Sequence, residues 1–257
     1  LDSVKKIKNK FNGQSCYIIS DGISLKWFDL KNFNNLISIG IQRLVMHKQF
    51  DQINCKHLLM MYPYQFYPFF RNPYPPNKII KNTLLKMTNE TIKANPQINF
   101  FTQISNYPFS YFLSNMSYLF DALPGGLGNR LDNYNYFTGS FRASVTLAIY
   151  MGFHNIYLVG FDYTHSPARI GHWYEKGQGS TNNTKFNNFE KGFITSAREY
   201  ANIITVTLDG KSENLKYITY KDLTGEDPSF RENKQLIRKI EYLEKLSELY
   251  DSFYNIY

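Results

Sequence analysis

The sequence predicts an α/β fold of Rossmann-like type, a mostly parallel sheet flanked by helices, and three observations predict it. Short runs at 15–20, 36–40, 57–62 and 155–159 read as strands, and the apolar run at 155–159, bounded by turn signals, is the mark of one covered on both faces. The last of these follows a helical pattern in which Ala143, Leu147, Ala148 and Met151 share one face. Glycine-bearing polar turns, Ser20-Asp21-Gly22 and Thr138-Gly139-Ser140, fall where regular elements begin or end. Strand-helix-strand order favours parallel pairing through right-handed crossovers.

In chain order, a lysine-rich lead-in at 1–12 precedes the first strand at 15–20, a short helix at 25–32 and strands at 36–40 and 57–62. The run YPYQFYPFFRNPYPP at 62–76 interleaves aromatic rings with prolines, which cannot continue a helix or a central strand. It is expected to be a loop packed by its own rings, with acceptor binding as the alternative. A helix at 82–94, a strand at 98–103 and an aromatic helical segment at 108–120 follow. PGGLGNRLDNYNYF at 124–137 is too rich in Gly and Asn to be regular and predicts a mobile lid loop. The polar, glycine-bearing stretch 164–184 predicts a second lid, ahead of a helix at 186–200 and a last clear strand at 203–208. These elements make one Rossmann-like domain at 1–228. Beyond it, 229–257 carries Leu236, Ile240, Leu243, Tyr250, Phe253 and Tyr257 at a period of about 3.5, the pattern of a C-terminal amphipathic helix. That helix is expected to pack on the body, with homo-oligomer formation or contact with a membrane surface as the alternatives.

Composition bounds the function. With 257 residues, 43% hydrophobic and 17% aromatic, the chain can bury a sizeable core, which excludes disorder over most of its length. No apolar run approaches the roughly 20 residues that span a bilayer, and no signal segment opens the chain. A cytoplasmic protein is expected, with peripheral association at the inner membrane face as a variant. The first residue is Leu1 rather than methionine, so further sequence upstream is expected. Lys and Arg number 29 against 21 Asp and Glu, a formal charge of +8, so partners should be acidic; nucleic acid, anionic lipid and phosphorylated sugars all fit. Cys16 and Cys55 lie in or beside predicted buried strands and have no metal spacing. D-x-D, HExxH and paired CxxC patterns are absent, so no metal and no cofactor is expected. The absence of a GxxxxGK[ST] pattern argues against a P-loop kinase.

Several residues carry candidate chemistry. Gly22 can supply a tight turn beside Asp21, and Ser24 can cap the element that follows, although a plain strand-to-helix turn fits the same residues. Thr138, Gly139 and Ser140 open a helix, where N–H groups favour an anion. Arg43, after the second strand, can neutralise phosphate or sit at the surface. Asp162 follows Gly160 at the C-terminal edge of the sheet, where it can bind a ribose hydroxyl or orient a loop. His172 has an imidazole suited to base catalysis near neutral pH. Its alternatives are a surface histidine and the rival His165.

These stretches resemble the small bacterial CMP-sialic acid sialyltransferases, glycosyltransferase family 42, and more loosely the sugar transferases and pterin diphosphokinase-like proteins around them. CYIISDGISLKWFDL at 16–30 looks like the family's first strand, its G-x-G-P-S-L turn and the helix that follows. LISIGIQRL at 36–44 looks like its second strand, and TGSFRASVTLAIYMGFHNIYLVGFDY at 138–163 like its central helix and strand. RIGHWYEKG at 169–177 falls where the family has an I-G-H segment with its catalytic histidine. The resemblance implies transfer of an acidic, sialic-acid-like sugar from a CMP-activated donor to a glycan hydroxyl, with inversion and with His172 as base. A role in lipopolysaccharide or capsule biosynthesis goes with it. The implied partners are a CMP-linked nucleotide sugar and a glycan acceptor, and no nucleic acid.

By the same resemblance, Asp21, Gly22 and Ser24 line the nucleotide site, and Gln42 stands for an asparagine that contacts the donor phosphate. Thr138, Gly139 and Ser140 correspond to the segment whose backbone receives the nucleotide, with Gly160 and Asp162 at the edge. Tyr163 and Tyr174 stand for tyrosines that hydrogen-bond the departing phosphate, with the match off by a position at Thr164 and a core or lid-packing role as the alternative for each. The chain departs from the pattern at Ser20, where the family has Gly, at Ile23, where it has Pro, and at Asn135, where it has Arg. Arg130 and Arg142 are near but out of register. The rival functions are a transferase with another nucleotide-sugar donor or a pterin-type diphosphokinase on the same scaffold, and a noncatalytic carbohydrate or nucleic-acid binding module.

Overall fold

The computed structural model describes residues 2–62, 65–67, 78–119, 139–182 and 188–238. Its strands are β1 (Ser15–Ile19), β2 (Ile37–Ile41), β3 (Cys55–Leu59), β4 (Asn99–Gln103), β5 (Met116–Leu119), β6 (Asn155–Val159), β7 (Ala168–Ile170), β8 (Ser180–Asn182), β9 (Asn202–Thr207) and β10 (Lys216–Thr219). Its helices are α1 (Asp2–Lys5), α2 (Lys78–Ala94), α3 (Gly139–Tyr150), α4 (Asn188–Ala197), α5 (Tyr220–Thr224) and α6 (Asn233–Leu236). Eight strands form one sheet in the order β10-β9-β6-β1-β2-β3-β4-β5, with every neighbour parallel. The chain adds strands outward from β1 on one side and from β6 on the other. The topological switch point therefore lies between β1 and β6, where α/β sheets hold their ligands outside the carboxyl ends of the strands.

Both faces of the sheet are covered, which is why its strands read as apolar runs. Cys16, Ile18, Ile156 and Leu158 join a core with Phe141, Leu147, Phe193 and Ala197 of α3 and α4. Tyr17, Ile19 and Val159 join the opposite core with Phe28, Phe33, Ile92, Trp173 and Tyr220. Both cysteines are buried free thiols. Among the described residues no helix is long and apolar enough to cross a membrane.

The structure corrects three expectations about elements. The helix expected at 25–32 is instead two 3-10 turns, Ile23–Lys26 and Leu30–Phe33. The Asp29 side chain accepts from Lys31 N between them, and Phe28 stacks on Tyr220 at 4.7 Å. A segment this short gains little from helix propagation, so tertiary packing decides its shape. The aromatic stretch expected to be helical at 108–120 is a 3-10 turn, Ile104–Phe109, followed by β5, which pairs with β4; residue 120 lies outside the described residues. A further strand, β10, follows β9, which was expected to be the last.

Of the stretch 229–257 expected as a C-terminal amphipathic helix, 239–257 lie outside the described residues; within 229–238 the helix is α6, after which Ile237 is extended (φ −81°, ψ 129°) and bridges His47. Here the chain is a strap. Ser229 N and Arg231 N donate to Trp27 O and Lys26 O at 3.0 and 2.8 Å, while Lys48 N donates to Leu236 O and Arg238 N to Met46 O, both at 2.7 Å. Consecutive Leu236 and Ile237 are both buried, which a single helical stripe would not require. Ile240, Leu243, Tyr250, Phe253 and Tyr257 lie outside the described residues, as do 124–137 and most of 62–76. The stretch expected as a second lid contains the antiparallel hairpin of β7 and β8, with Trp173 and Tyr174 between them fully buried.

His47 sits where the strap meets the end of β2. Its Nδ1 accepts from Gln49 N at 3.1 Å, and its ring lies edge-on to Trp173 at 5.0 Å. Burial, reinforced by the Arg231 charge, pushes the imidazole down to about 3, and burial likewise pushes His57 on β3 down to about 4. Both rings stay neutral in the folded chain and take protons in the unfolded chain at their ordinary value of about 6.5. Their contribution to stability is therefore complete above pH 6.5, by that same reference value, and is lost as pH falls toward the folded values. Urea unfolding should show a midpoint that declines from about pH 7 to about pH 4.5, and His47→Phe should make the decline shallower.

Candidate active site

The site is built on the ends of β1 and β6. Ser20 N donates to Val159 O at 2.8 Å and Gly22 N to Gly160 O at 3.0 Å, so the two strands stay joined past the last sheet pair. A Cβ on Gly22 would lie 2.1 Å from Gly160 O and 2.4 Å from Asp162 Oδ2, so glycine is required by space. Gly160, at φ +74°, turns the chain away from the sheet in the left-handed region that favours glycine. Gly22 also forms an antiparallel bridge with His172. Three segments distant in sequence thus meet at one residue.

Carboxylates fasten this junction. Asp162 Oδ2 accepts from Ser24 N at 2.8 Å, and its Oδ1 is 3.7 Å from Nδ1 of His165. Ser24 lies inside the 3-10 turn with no side-chain cap, and Gly22 occupies the N-cap position, which corrects the expected capping by Ser24. Asp21 accepts from Arg43 N at 3.2 Å and from Trp173 Nε1 at 3.3 Å, while its carbonyl accepts from Trp173 N at 3.1 Å. Burial raises the Asp21 carboxyl above the ordinary range, against the charges of Arg43 and His172 and these hydrogen bonds. The His165 side chain is 6% exposed, and its desolvation lowers the imidazole, with Asp162 opposing.

A second polar chain runs along the sheet edge. Gln42, directly after β2, has φ +54°, a conformation costly for a residue with a long side chain and one that concentrates at functional sites. Its Nε2 donates to Ser140 Oγ at the start of α3 at 2.8 Å, and its Oε1 accepts from Gln65 Nε2 at 2.6 Å. Gln65 in turn accepts from Tyr62 N at 3.2 Å. Gln42 therefore ties together the loops after β2 and β3 and the start of α3. Gly139 opens α3 at φ +86°; Thr138, Asn135 and Arg130 lie outside the described residues. Arg142 is carried over the Phe193 ring of α4, its Cζ 5.2 Å from the centroid. Tyr163 is 44% exposed and packs edge-on to Phe141 at 5.9 Å.

His172 lies at the centre, its side chain 35% exposed. Its ring stacks on Tyr174 at 5.1 Å and 14°, and the Tyr174 hydroxyl accepts from Arg43 Nη1 at 2.7 Å. The Arg43 Cζ is also 5.0 Å from the Tyr174 centroid. Asn233 of the strap donates to Tyr174 O at 3.0 Å. The Glu175 carboxylate accepts from His172 Nδ1 at 2.5 Å and from His172 N at 3.1 Å. Beneath this loop Lys26 is wholly buried, and its ammonium donates to Glu175 O at 2.5 Å and to Gly177 O. Among the described residues no group of three His, Cys, Asp or Glu side chains is placed to hold a metal ion.

The structure thus brings Asp21, Gly22, Ser24, Gln42, Arg43, Ser140, Gly160, Asp162, His172 and Tyr174 to one sheet edge, and leaves Tyr163 against α3. Sequence reasoning missed Glu175, Lys26 and Gln65. For Glu175 a signal existed, an acid three residues beyond His172 in a turn; for Lys26 none did, because a lysine flanked by Leu25 and Trp27 reads as a surface residue.

No family model matches the chain, and no curated protein matches it. Among solved structures the chain is similar to the sialyltransferase CstII from Campylobacter jejuni in complex with a substrate analogue, CMP-3FNeuAc, at 13% identity over 91% of this chain and 99% of that one, with a TM-score of 0.46. It is similar to an α-2,3-sialyltransferase from Campylobacter jejuni in apo form, at 12% identity over 96% and 98%, TM-score 0.48. It is also similar to the monofunctional α-2,3-sialyltransferase Cst-I from the same organism, at 14% identity over 95% and 96%, TM-score 0.49.

Gly22→Ala should cost at least about 2 kcal/mol, since a methyl would strike backbone that cannot move without parting β1 from β6. Gly192→Ala is the control, because a Cβ there meets nothing within 4 Å on α4 and should stabilise by about 0.5–1 kcal/mol. Denaturant unfolding of both variants measures the difference.

Proposed function

We propose that the chain is a glycosyltransferase that moves an acidic, sialic-acid-like sugar from a CMP-activated donor to a glycan hydroxyl, with inversion and with His172 as base. The observation that carries this reading is a half-buried, carboxylate-held histidine that bridges to Gly22 at the switch point of a parallel sheet and stacks on the tyrosine that a buried arginine holds. The donor class rests on the sequence resemblance.

In this mechanism the acceptor oxygen attacks the anomeric carbon as the bond from that carbon to the phosphate oxygen breaks. The electron pair leaves on CMP, and the acceptor proton passes to the His172 ring. Charge gained by the leaving phosphate is met by Arg43, by N–H groups around Gly139 and Ser140, and by tyrosine hydroxyls. Gln42, bonded to Ser140 Oγ, keeps the start of α3 in place. No step needs a metal ion.

If the donor assignment is right, CMP or CDP will raise the melting temperature more than UDP, GDP or ATP, because a ligand that binds only the folded state stabilises by mass action. Equal or greater stabilisation by another nucleotide would overturn the donor and leave the fold untouched. In the transfer reaction His172→Ala should lower kcat by about two to four orders of magnitude, the range for loss of general base catalysis, with CMP affinity nearly unchanged. Near-normal kcat in a folded His172→Ala protein would remove the residue from the mechanism.

A further inference from the structure

Glu175 makes a closed set of contacts with the histidine three residues before it. Oε1 accepts from His172 Nδ1 at 2.5 Å, Oε2 accepts from His172 N at 3.1 Å, and Glu175 N donates to His172 O at 3.0 Å. Both carboxylate oxygens are committed to one residue, and the Glu175 side chain is 8% exposed. A carboxylate serving only as a surface charge would not be drawn in and used in this way.

The backbone behind it is held from three sides. Lys26 donates to Glu175 O and Gly177 O from below, Trp173 is fastened to Asp21, and Tyr174 is held by Arg43 and Asn233. Gly171, at φ +129°, leaves room where a Cβ would lie 3.3 Å from Glu175 Oε2 and 2.9 Å from Ile23 Cδ1. Every one of these contacts fixes where the carboxylate sits, and through it the orientation of the imidazole.

We propose that Glu175 is the positioning residue for His172. Its carboxylate holds a proton on Nδ1, which puts the basic lone pair on Nε2, and it offsets the charge that the ring gains on taking the acceptor proton. The proton moves from the acceptor hydroxyl to Nε2, and the electron pair of the broken sugar-phosphate bond leaves with CMP. The second half of this proposal rests on the glycosyltransferase reading, while the tautomer does not.

The experiment uses the full chain labelled with ¹⁵N-histidine, with the His172 signals assigned by their loss in His172→Gln. At a pH where the ring is neutral, the wild-type protein should show His172 protonated at Nδ1, and Glu175→Ala should shift it toward the Nε2-protonated form. Glu175→Gln, whose amide oxygen can still accept from Nδ1, should keep the tautomer without the charge. In transfer assays Glu175→Ala should lower kcat by about 100-fold or more with donor KM within about twofold, and Glu175→Asp should recover part of the loss. A wild-type ring protonated at Nε2, or an unchanged kcat in folded Glu175→Ala, overturns the proposal. A wild-type chain with no transfer activity would sink the glycosyltransferase reading, and the tautomer would then decide the role of Glu175 alone.

Discussion

The closeness of two strand ends governs this molecule. Gly22 and Gly160 bring β1 and β6 together beyond the sheet, with Gly22 N on Gly160 O at 3.0 Å and no room for a side chain between them. Everything at the sheet edge refers to that contact. Asp162 reaches from the β6 side to the backbone of the turn after β1, and His172 bridges to the same Gly22. If the strand ends parted by the width of a methyl group, the histidine, the turn and the carboxylate would lose their common origin.

Around this junction the chain buries charge, and each buried group is matched to a partner. Asp21 faces the Arg43 backbone and the Trp173 indole, Arg43 faces Tyr174, and Lys26 faces two carbonyls of the loop that carries Glu175. Buried ions add little net stability against apolar residues of similar volume, but removing one partner is costly. Their effect here is geometric, because a network satisfied in only one arrangement excludes others. The loop that sequence marks as a lid is anchored in this way from Trp173 to Gly177.

The C-terminal strap extends the same logic across the molecule. Between Ser229 and Arg238 it donates to or accepts from the backbone near Lys26, Trp27, Met46 and Lys48, and Asn233 reaches the Tyr174 carbonyl. It thereby joins the turns after β1 and β2 to the histidine loop. Its packing also explains the buried, neutral state of His47, which lies between the strap and Trp173.

Much of the fold was legible in the sequence. The strands at 15–19, 37–41 and 155–159 and the helix from Gly139 were visible because apolar runs and helical spacing reflect local burial, and a sheet covered on both faces imposes that burial directly. The glycines at the strand ends and His172 were marked because turn chemistry and imidazole chemistry belong to single residues. The tertiary structure alone decided that 25–32 makes 3-10 turns, that the aromatic run near 116–119 becomes a strand, and that the apolar pair Leu236 and Ile237 belongs to a strap. Such short segments satisfy more than one periodicity, and the partner they pack against makes the choice. Tertiary structure likewise decided that Ser24 gives its N–H to Asp162, that Gln42 bridges Ser140 and Gln65, and that Lys26 is buried, since each is a contact between residues whose proximity no local pattern encodes.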